Sequence, residues 1–249
     1  MNNPFSLENK IILVTGASSG IGKATAIECS KMGAKIIITG RDLKRLQETY
    51  GELEGEGHSI FQADLIIKEE FDALFNSISK LDGVVHSAGI ARHLLFNFLK
   101  ENQFNEMMDI NFRIPTLFTQ QLLKQKKINP GASIVFINST SGIISSYIGG
   151  SIYSASKGAL NGLIKGLALE YAPKKIRFNG VMPAMIDTRL IDESDVTEEQ
   201  LKIDRQKYPL KRYGRPEEVA YAVIYLLSDA SSWTTGTNIL LDGGRTISF

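Results

Sequence analysis

Ile11-Ile12-Leu13-Val14-Thr15-Gly16-Ala17-Ser18-Ser19-Gly20-Ile21-Gly22 is the stretch on which the fold turns. Its first half is apolar with no polar alternation, which marks a strand covered on both faces, as in a parallel sheet. Its second half is glycine-rich and runs into a helical pattern that continues to Met32. Glycines at such a strand-to-helix turn let the backbone bend sharply and approach a ligand. The free N–H groups and positive dipole end of the helix then suit a pyrophosphate. Gly16, Ser18, Ser19, Gly20, Ile21 and Gly22 are therefore the candidate phosphate cradle, although the spacing is G-x-x-x-G-x-G and not G-x-G-x-x-G.

Outward from this loop the same alternation repeats. Short apolar runs at 35–38, 59–61, 83–85, 133–137, 178–182 and 238–241 read as strands. Between them, helices are expected at about 20–32, 42–54, 67–79, 100–127 (as one helix or two), 152–172 and 216–228. Pro216 followed by Glu217 and Glu218 is a strong helix start, with φ fixed and acidic residues at the positive end of the dipole. The order predicts an α/β fold: a single Rossmann-type domain over 1–249, with a doubly wound parallel sheet of about seven strands and helices on both faces. Ligands of such sheets bind at the carboxyl ends of the strands.

Composition narrows the function. The 249 residues are 43% hydrophobic and 22% charged, which excludes a disordered or fibrous chain. A net charge of +1 gives no field that would favour nucleic acid or an anionic membrane. Cys29 is the single cysteine, so no internal disulfide is possible, and a cytoplasmic setting is expected. His58, His86 and His93 have no metal-ligand spacing, and no metal site is expected.

The chemistry is expected on a second segment, Tyr153-Ser154-Ala155-Ser156-Lys157. Tyr153 and Lys157 stand at i and i+4, on one face of the helix. A phenol is a poor acid or base near neutrality, but a nearby ammonium favours the phenolate, and such a pair suits reversible protonation of an alkoxide. Asn138-Ser139-Thr140-Ser141-Gly142 follows the strand ending at Ile137 and brings hydroxyls to the carboxyl edge.

Taken together, these motifs resemble the short-chain dehydrogenase/reductase family over nearly the whole chain. The glycine motif of that family matches Thr15 to Gly22, and its adenine-holding Asp-hydrophobic pair matches Asp64-Leu65. Its N-N-A-G motif matches in part as His86-Ser87-Ala88-Gly89, where Ser87, Ala88 and Gly89 would line the cofactor. The resemblance assigns the helix-borne asparagine to Asn111, the catalytic serine to Ser139 and the Y-x-x-x-K motif to Tyr153 and Lys157. The P-G motif appears as Pro183-Ala184, with Ile186 and Thr188 beyond it against the nicotinamide, and Asp242-Gly243-Gly244 closes the pattern. The resemblance implies hydride transfer between a nicotinamide and a ketone/alcohol pair. Tyr153 would be the proton donor, Lys157 would lower its pKa and hold the ribose, Ser139 would bind the substrate oxygen, and Asn111 would support a water relay. The His86-Ser87 departure reads as a structural substitution.

Cofactor choice follows from the second strand. An NAD-selective site places an acidic residue ~20 positions after the glycine turn. Here that position is Gly40 and the next is Arg41, whose guanidinium suits a 2′-phosphate, so NADP(H) is expected over NAD(H). Asp42 is expected to turn away with the following helix. The substrate stays open between a 3-oxoacyl thioester, to which the overall pattern is closest, and a small sugar, steroid-like or secondary-metabolite carbonyl. A non-catalytic nucleotide-binding scaffold or sensor is the alternative from another class. An acidic carrier protein would want a basic face, for which Lys126, Lys127, Lys174 and Lys175 are candidates. The region 184–214 reads as irregular and polar, with a substrate lid at about 187–208 that has little apolar surface to bury. Gly158, Gly162 and Gly166 form a stripe along one helix, for packing within the chain or in a homotetramer.

Overall fold

The computed structural model describes residues 3–188 and 197–248. All seven strands lie in one parallel sheet, in the order β3-β2-β1-β4-β5-β6-β7. They are β1 Ile11–Thr15, β2 Lys35–Gly40, β3 Ser59–Gln62, β4 Leu81–His86, β5 Ile128–Ile137, β6 Arg177–Pro183 and β7 Asn238–Leu241. The α-helices among the described residues are α1 Gly20–Lys31, α2 Leu43–Gly51, α3 Lys68–Ser77, α4 Glu101–Met108, α5 Ile114–Lys124, α6 Ser151–Tyr171, α7 Glu198–Arg205 and α8 Pro216–Leu227.

Two apolar layers sandwich the sheet. One joins α1 and α8 to one face through Ala26, Cys29, Val223 and Leu227. The other joins α3, α5 and α6 to the opposite face through Phe71, Phe118, Leu160 and Ile164. The strands read as continuous apolar runs because their side chains are buried on both sides: Ile12, Leu13 and Val14 are all fully buried. The order in which strands are added reverses at the β1/β4 junction, where ligands of such sheets bind at the carboxyl ends.

Three points where the structure refines or departs from the sequence reading have physical causes. The helical stretch expected over 100–127, as one helix or two, is two α-helices joined by a π-helical stretch, Asp109–Arg113. The region expected to be irregular holds α7, started by a capping box between Thr197 and Gln200 and seated on a small core of Leu201, Tyr208 and Tyr213. The expectation of little apolar surface therefore fails over 197–208; the part of the expected lid at 189–196 lies outside the described residues. The glycine stripe also divides. A Cβ on Gly158 would come 3.0 Å from the Gly142 carbonyl oxygen, whereas Gly162 and Gly166 face open space within this chain.

Candidate active site

The dinucleotide cradle is built where β1, β2 and β4 end. Gly16 has φ +67, and a Cβ there would lie 2.7 Å from the Ala88 backbone; a Cβ on Gly22 would lie 2.3 Å from the Gly16 carbonyl oxygen. The loops after β1 and β4 can close on each other only with glycine at these points. Helix α1 begins with Ser19 as N-cap, no capping side-chain bond and no acidic residue in the first turn. Its first amides thus have neither an intrahelical acceptor nor a competing carboxylate, which fits a pyrophosphate. Thr188 packs against Gly20 from the far side of the crevice, its Cγ2 3.3 Å from where a Cβ would stand.

At the end of β2, Gly40 faces the Ser18 hydroxyl, and Arg41 is exposed beside it. Asp42 is the N-cap of α2: it accepts a hydrogen bond from the Arg45 amide at 3.1 Å and pairs with the Arg45 guanidinium at 3.1 Å. Its carboxylate is therefore committed to the helix, as expected. Thr39 is fully buried and its hydroxyl has no partner among the described residues, so it belongs to the strand interior. Asp64 accepts from the Ile66 amide at 3.1 Å, and Leu65 packs on the core, which fixes the turn after β3.

Polar side chains converge at the other half of the crevice. Ser139 follows β5, and its Oγ accepts a hydrogen bond from the Ser141 amide at 3.1 Å. The Tyr153 phenol lies close enough to the Ser139 side chain for the two to interact. Burial holds the Tyr153 pKa above the usual phenol value, and the nearby Ser139 side chain opposes that rise. Lys157 is buried, donates to the Ile137 carbonyl at 2.8 Å, and has its pKa pushed down to about 8 by desolvation. Its Nζ lies 5.8 Å from the Tyr153 ring centroid. The expected lowering of the Tyr153 pKa by Lys157 is therefore not what the structure gives. The lysine is aimed at the end of β5, and burial dominates both groups.

Asn111 lies in the π-helical stretch, whose extra residue turns a side chain inward. Its Nδ2 donates to the Ile90 carbonyl at 2.9 Å and to Ser156 Oγ at 3.1 Å, while its Oδ1 accepts from the Ile90 amide at 2.9 Å. It thus clamps the loop after β4 to α6. Gly89 stands between them: a Cβ there would lie 3.3 Å from Asn111 Oδ1 and 3.7 Å from Lys157 Nζ.

A family model described as enoyl-(acyl carrier protein) reductase matches residues 16–246. The 3-oxoacyl-(acyl-carrier-protein) reductase FabG of Rickettsia conorii is 37% identical, over 96% of this chain and 98% of its own. The reductase of the same name from Thermotoga maritima is 33% identical, over 97% of this chain and 99% of its own. The chain is a short-chain dehydrogenase/reductase. A crystal structure of a dehydrogenase/reductase from Sinorhizobium meliloti 1021 has a TM-score of 0.88 at 30% identity, covering 97% of each chain. The family consists of oxidoreductases that use NAD(P)(H).

This short-chain dehydrogenase/reductase departs from its family pattern at His86-Ser87. His86 Nε2 lies 2.8 Å from Thr119 Oγ1, and its ring stacks on Phe136 with centroids 4.9 Å apart. Burial lowers its pKa to about 3, which keeps it neutral. It is a packing residue on the α5 side of the sheet. The tie between β4 and β1 runs through Thr15, whose Oγ1 accepts from the Ser87 and Ala88 amides at 3.2 Å each. The Ser87 backbone, not its hydroxyl, makes that link.

Pro183 ends β6, and its carbonyl accepts from the Thr140 amide at 3.1 Å, joining the two walls of the crevice. Ala184 donates to the Leu241 carbonyl at 2.9 Å, and Ile186 is buried and paired with Gly214 in an isolated bridge. The sequence reading missed the aromatic border of the site. His93 and Tyr147 stack with ring centroids 6.2 Å apart, and Tyr147 lies 6.4 Å from Tyr153. The adjacent Gly149-Gly150 was the available signal: side chains there would strike the His93 and Tyr147 rings at 2.9 Å and 2.6 Å. The lysine patch falls elsewhere. Lys126 and Lys127 precede β5, and Lys174 and Lys175 precede β6, so all four sit at the amino edge of the sheet, away from this subunit's crevice. Lys127 is further committed to the carbonyls of Phe75 and Ile78.

Proposed function

We propose that this protein is an NADP(H)-dependent oxidoreductase interconverting a ketone and a secondary alcohol, with a 3-oxoacyl thioester as its substrate class. The observation that carries the reading is the meeting of the Tyr153 phenol and the Ser139 side chain at the carboxyl edge, with Lys157 buried one helical turn beyond the tyrosine. Two hydroxyls so placed can grip one carbonyl oxygen. The cofactor, when bound, supplies or accepts the hydride. Ser139 orients the oxygen, and Tyr153 gives it a proton as carbon is reduced, or takes one in the reverse direction. Lys157 holds the cofactor ribose and offers its ammonium to the phenolate. Asn111 fixes the Gly89-Ile90 backbone below them and, through its remaining acceptor lone pair, holds the water that relays protons from Lys157.

The cradle of Gly16, Ser18, Ser19, Gly20, Ile21 and Gly22 would hold the pyrophosphate. Asp64 and Leu65 would hold the adenine, Ser87, Ala88 and Gly89 the ribose side, and Pro183, Ile186 and Thr188 the nicotinamide. Arg41, with Ser18, would hold the 2′-phosphate. The acyl class is favoured over a small sugar by exposed apolar side chains on the loops beside Tyr153, namely Leu95, Phe96, Ile144 and Ile148. The names of the Rickettsia and Thermotoga relatives point the same way. The segment 187–208 serves as the substrate cover in this reading.

A homotetramer needs two different self-complementary faces. Gly162, Gly166 and the exposed Leu169 of α6, with Leu117 of α5, supply one. The β7 edge, with Trp233 wholly exposed, supplies the other. The experiment is loss of NADPH absorbance with 3-oxoacyl thioesters and a panel of simple ketones. Wild type should turn over the thioesters, and Tyr153→Phe should be slower by ~10²-fold or more while still binding cofactor. A Tyr153→Phe variant with near wild-type turnover would remove the proposed chemistry.

A further inference from the structure

Three asparagines far apart in sequence form a chain behind Ser139. Asn138 Oδ1 accepts from the Ser139 amide at 3.1 Å, and its Nδ2 donates to Asn238 Oδ1 at 3.2 Å. Asn238 Nδ2 in turn donates to Asn161 Oδ1 at 2.9 Å. Asn138 directly follows β5, Asn238 opens the edge strand β7, and Asn161 lies on α6. Tyr153, Lys157 and Asn161 are spaced i, i+4 and i+8, so the chain returns to the helix face that bears the reacting phenol. Strand β6 runs between β5 and β7, and the amide chain crosses it at Gly180, the register partner of Asn238. A Cβ on Gly180 would lie 1.9 Å from Asn238 Oδ1. A side chain at 180 and the asparagine bridge are mutually exclusive. Gly180 sits in the middle of a buried strand, where glycine is otherwise unfavourable, so the crossing explains its presence.

We propose that Asn238, bridged to Asn161, is a positioning residue for the reaction: it holds Asn138 and thereby sets the Ser139 turn against Tyr153. The inference rests on Ser139 and Tyr153 being the hydroxyl pair that grips the substrate oxygen. Asn138 is almost fully buried, so each of its amide atoms needs a protein partner, and the partner on its Nδ2 side is Asn238. Without that bond the Asn138 amide is free to rotate, and the Ser139 amide loses its fixed acceptor. The hydroxyl of Ser139 then no longer points steadily at Tyr153. Because the Ser139 side chain acts to lower the Tyr153 pKa against the effect of burial, its displacement moves that pKa upward.

The test compares Asn238→Leu, which has the same branching but no hydrogen bonds, with Asn238→Asp. In the latter the carboxylate still accepts from Asn138 Nδ2, and Asn161 can turn its amide to donate. In the alcohol-oxidation direction the rate rises with pH as Tyr153 loses its proton. Asn238→Leu should lower kcat by about tenfold and displace that rise upward by about half a pH unit or more, the signature of a weakened hydrogen bond to a charged group. The KM for NADP should not change, and Asn238→Asp should restore both kcat and the profile. Tyr153→Phe is measured alongside. If it stays active, the proton-transfer reading itself fails. If it is inactive while folded Asn238→Leu keeps the wild-type kcat and pH profile, only the positioning role is overturned. Should Asn238→Leu not fold, Asn161→Ala, a good helix former on the α6 surface, is read in the same assay. An upward shift supports the chain, and an unshifted profile overturns it.

Discussion

Replacing Lys157 by methionine should stabilise the folded protein while destroying its turnover. Burial lowers the Lys157 pKa from 10.5 to about 8. At ~1.36 kcal/mol per unit, that shift corresponds to roughly 3 kcal/mol spent holding the ammonium inside the protein at neutral pH. Methionine keeps the unbranched chain and removes the charge. It also leaves the Ile137 carbonyl without the Nζ–H that bonds it at 2.8 Å. Losing a buried partner of this kind costs about 1–2 kcal/mol, so the net gain is about 1–2 kcal/mol near pH 7. The sign of the pH dependence follows from proton counting. Between about pH 8 and 10.5 the unfolded chain holds more protons at this lysine than the folded one, so wild-type stability rises with pH across that window. The variant lacks that rise. Its advantage should shrink from about pH 8 upward and reverse near the top of the window. Equilibrium urea unfolding of both proteins at several pH values, without cofactor, measures the difference directly. A variant less stable than wild type at neutral pH, by an amount that does not change with pH, would refute the reasoning. In the same preparation turnover should fall by ~10²-fold or more, because the phenolate loses its cation.

Arg41→Ala should raise the KM for NADPH by about tenfold or more and leave NADH nearly unchanged, as expected for loss of a charge-assisted contact to a phosphate; equal effects on both cofactors in steady-state kinetics would remove Arg41 from that role. Light scattering at micromolar concentration should give a tetramer, and a charge on the β7 face, as in Trp233→Glu, should reduce it to a dimer; a monomeric wild type would defeat the assembly reading. Hydrogen exchange over 197–208 should slow when cofactor and substrate bind together, and equal strong protection without them would count against a substrate cover.

What the sequence made legible here is what is local along the chain. The glycine cradle is seven consecutive residues, Gly16 to Gly22, and the Tyr153–Lys157 pair is one helical turn. Strand-to-helix alternation is a periodicity, and it returned a seven-stranded parallel sheet with the crevice at the β1/β4 reversal. Asp42 was also legible, because an acidic residue just before a helix favours the N-cap over a ligand. The partnerships that tune the site depend on residues far apart. Asn138 and Asn238 are separated by 100 positions, and neither has a periodic or motif signature. Thr15 looked like the last residue of a strand, yet its hydroxyl receives two amides from the loop after β4. Helix α7 escaped notice because its apolar contacts come from tyrosines that follow it, Tyr208 and Tyr213, not from an apolar stripe of its own. The π-helical stretch at Asn111 is invisible to a pattern search, since one extra residue changes the phase of a helix without changing its composition.

Buried polar groups gather at the carboxyl ends of the strands, the edge where the proposed chemistry would take place. Thr15, His86, Asn111, Asn138, Ser139, Ser156 and Lys157 are all buried within this half of the molecule. Most are fully partnered: His86 by Thr119, Asn111 by Ile90 and Ser156, and Asn138 by Ser139 and Asn238. Satisfied groups of this kind are neutral and rigid, and they titrate far from physiological pH or not at all. Tyr153 and Lys157 are the exceptions. The phenol is held up and the ammonium down by the same desolvation, so each is driven toward its uncharged form. A dinucleotide lying against Lys157 and a substrate oxygen gripped by Ser139 would both favour the charged pair. The fold thus keeps this electrostatic strain at the proposed site, where ligand binding would relieve it, and in the proposed arrangement the amide chain through Asn238 would keep the two hydroxyls in register meanwhile.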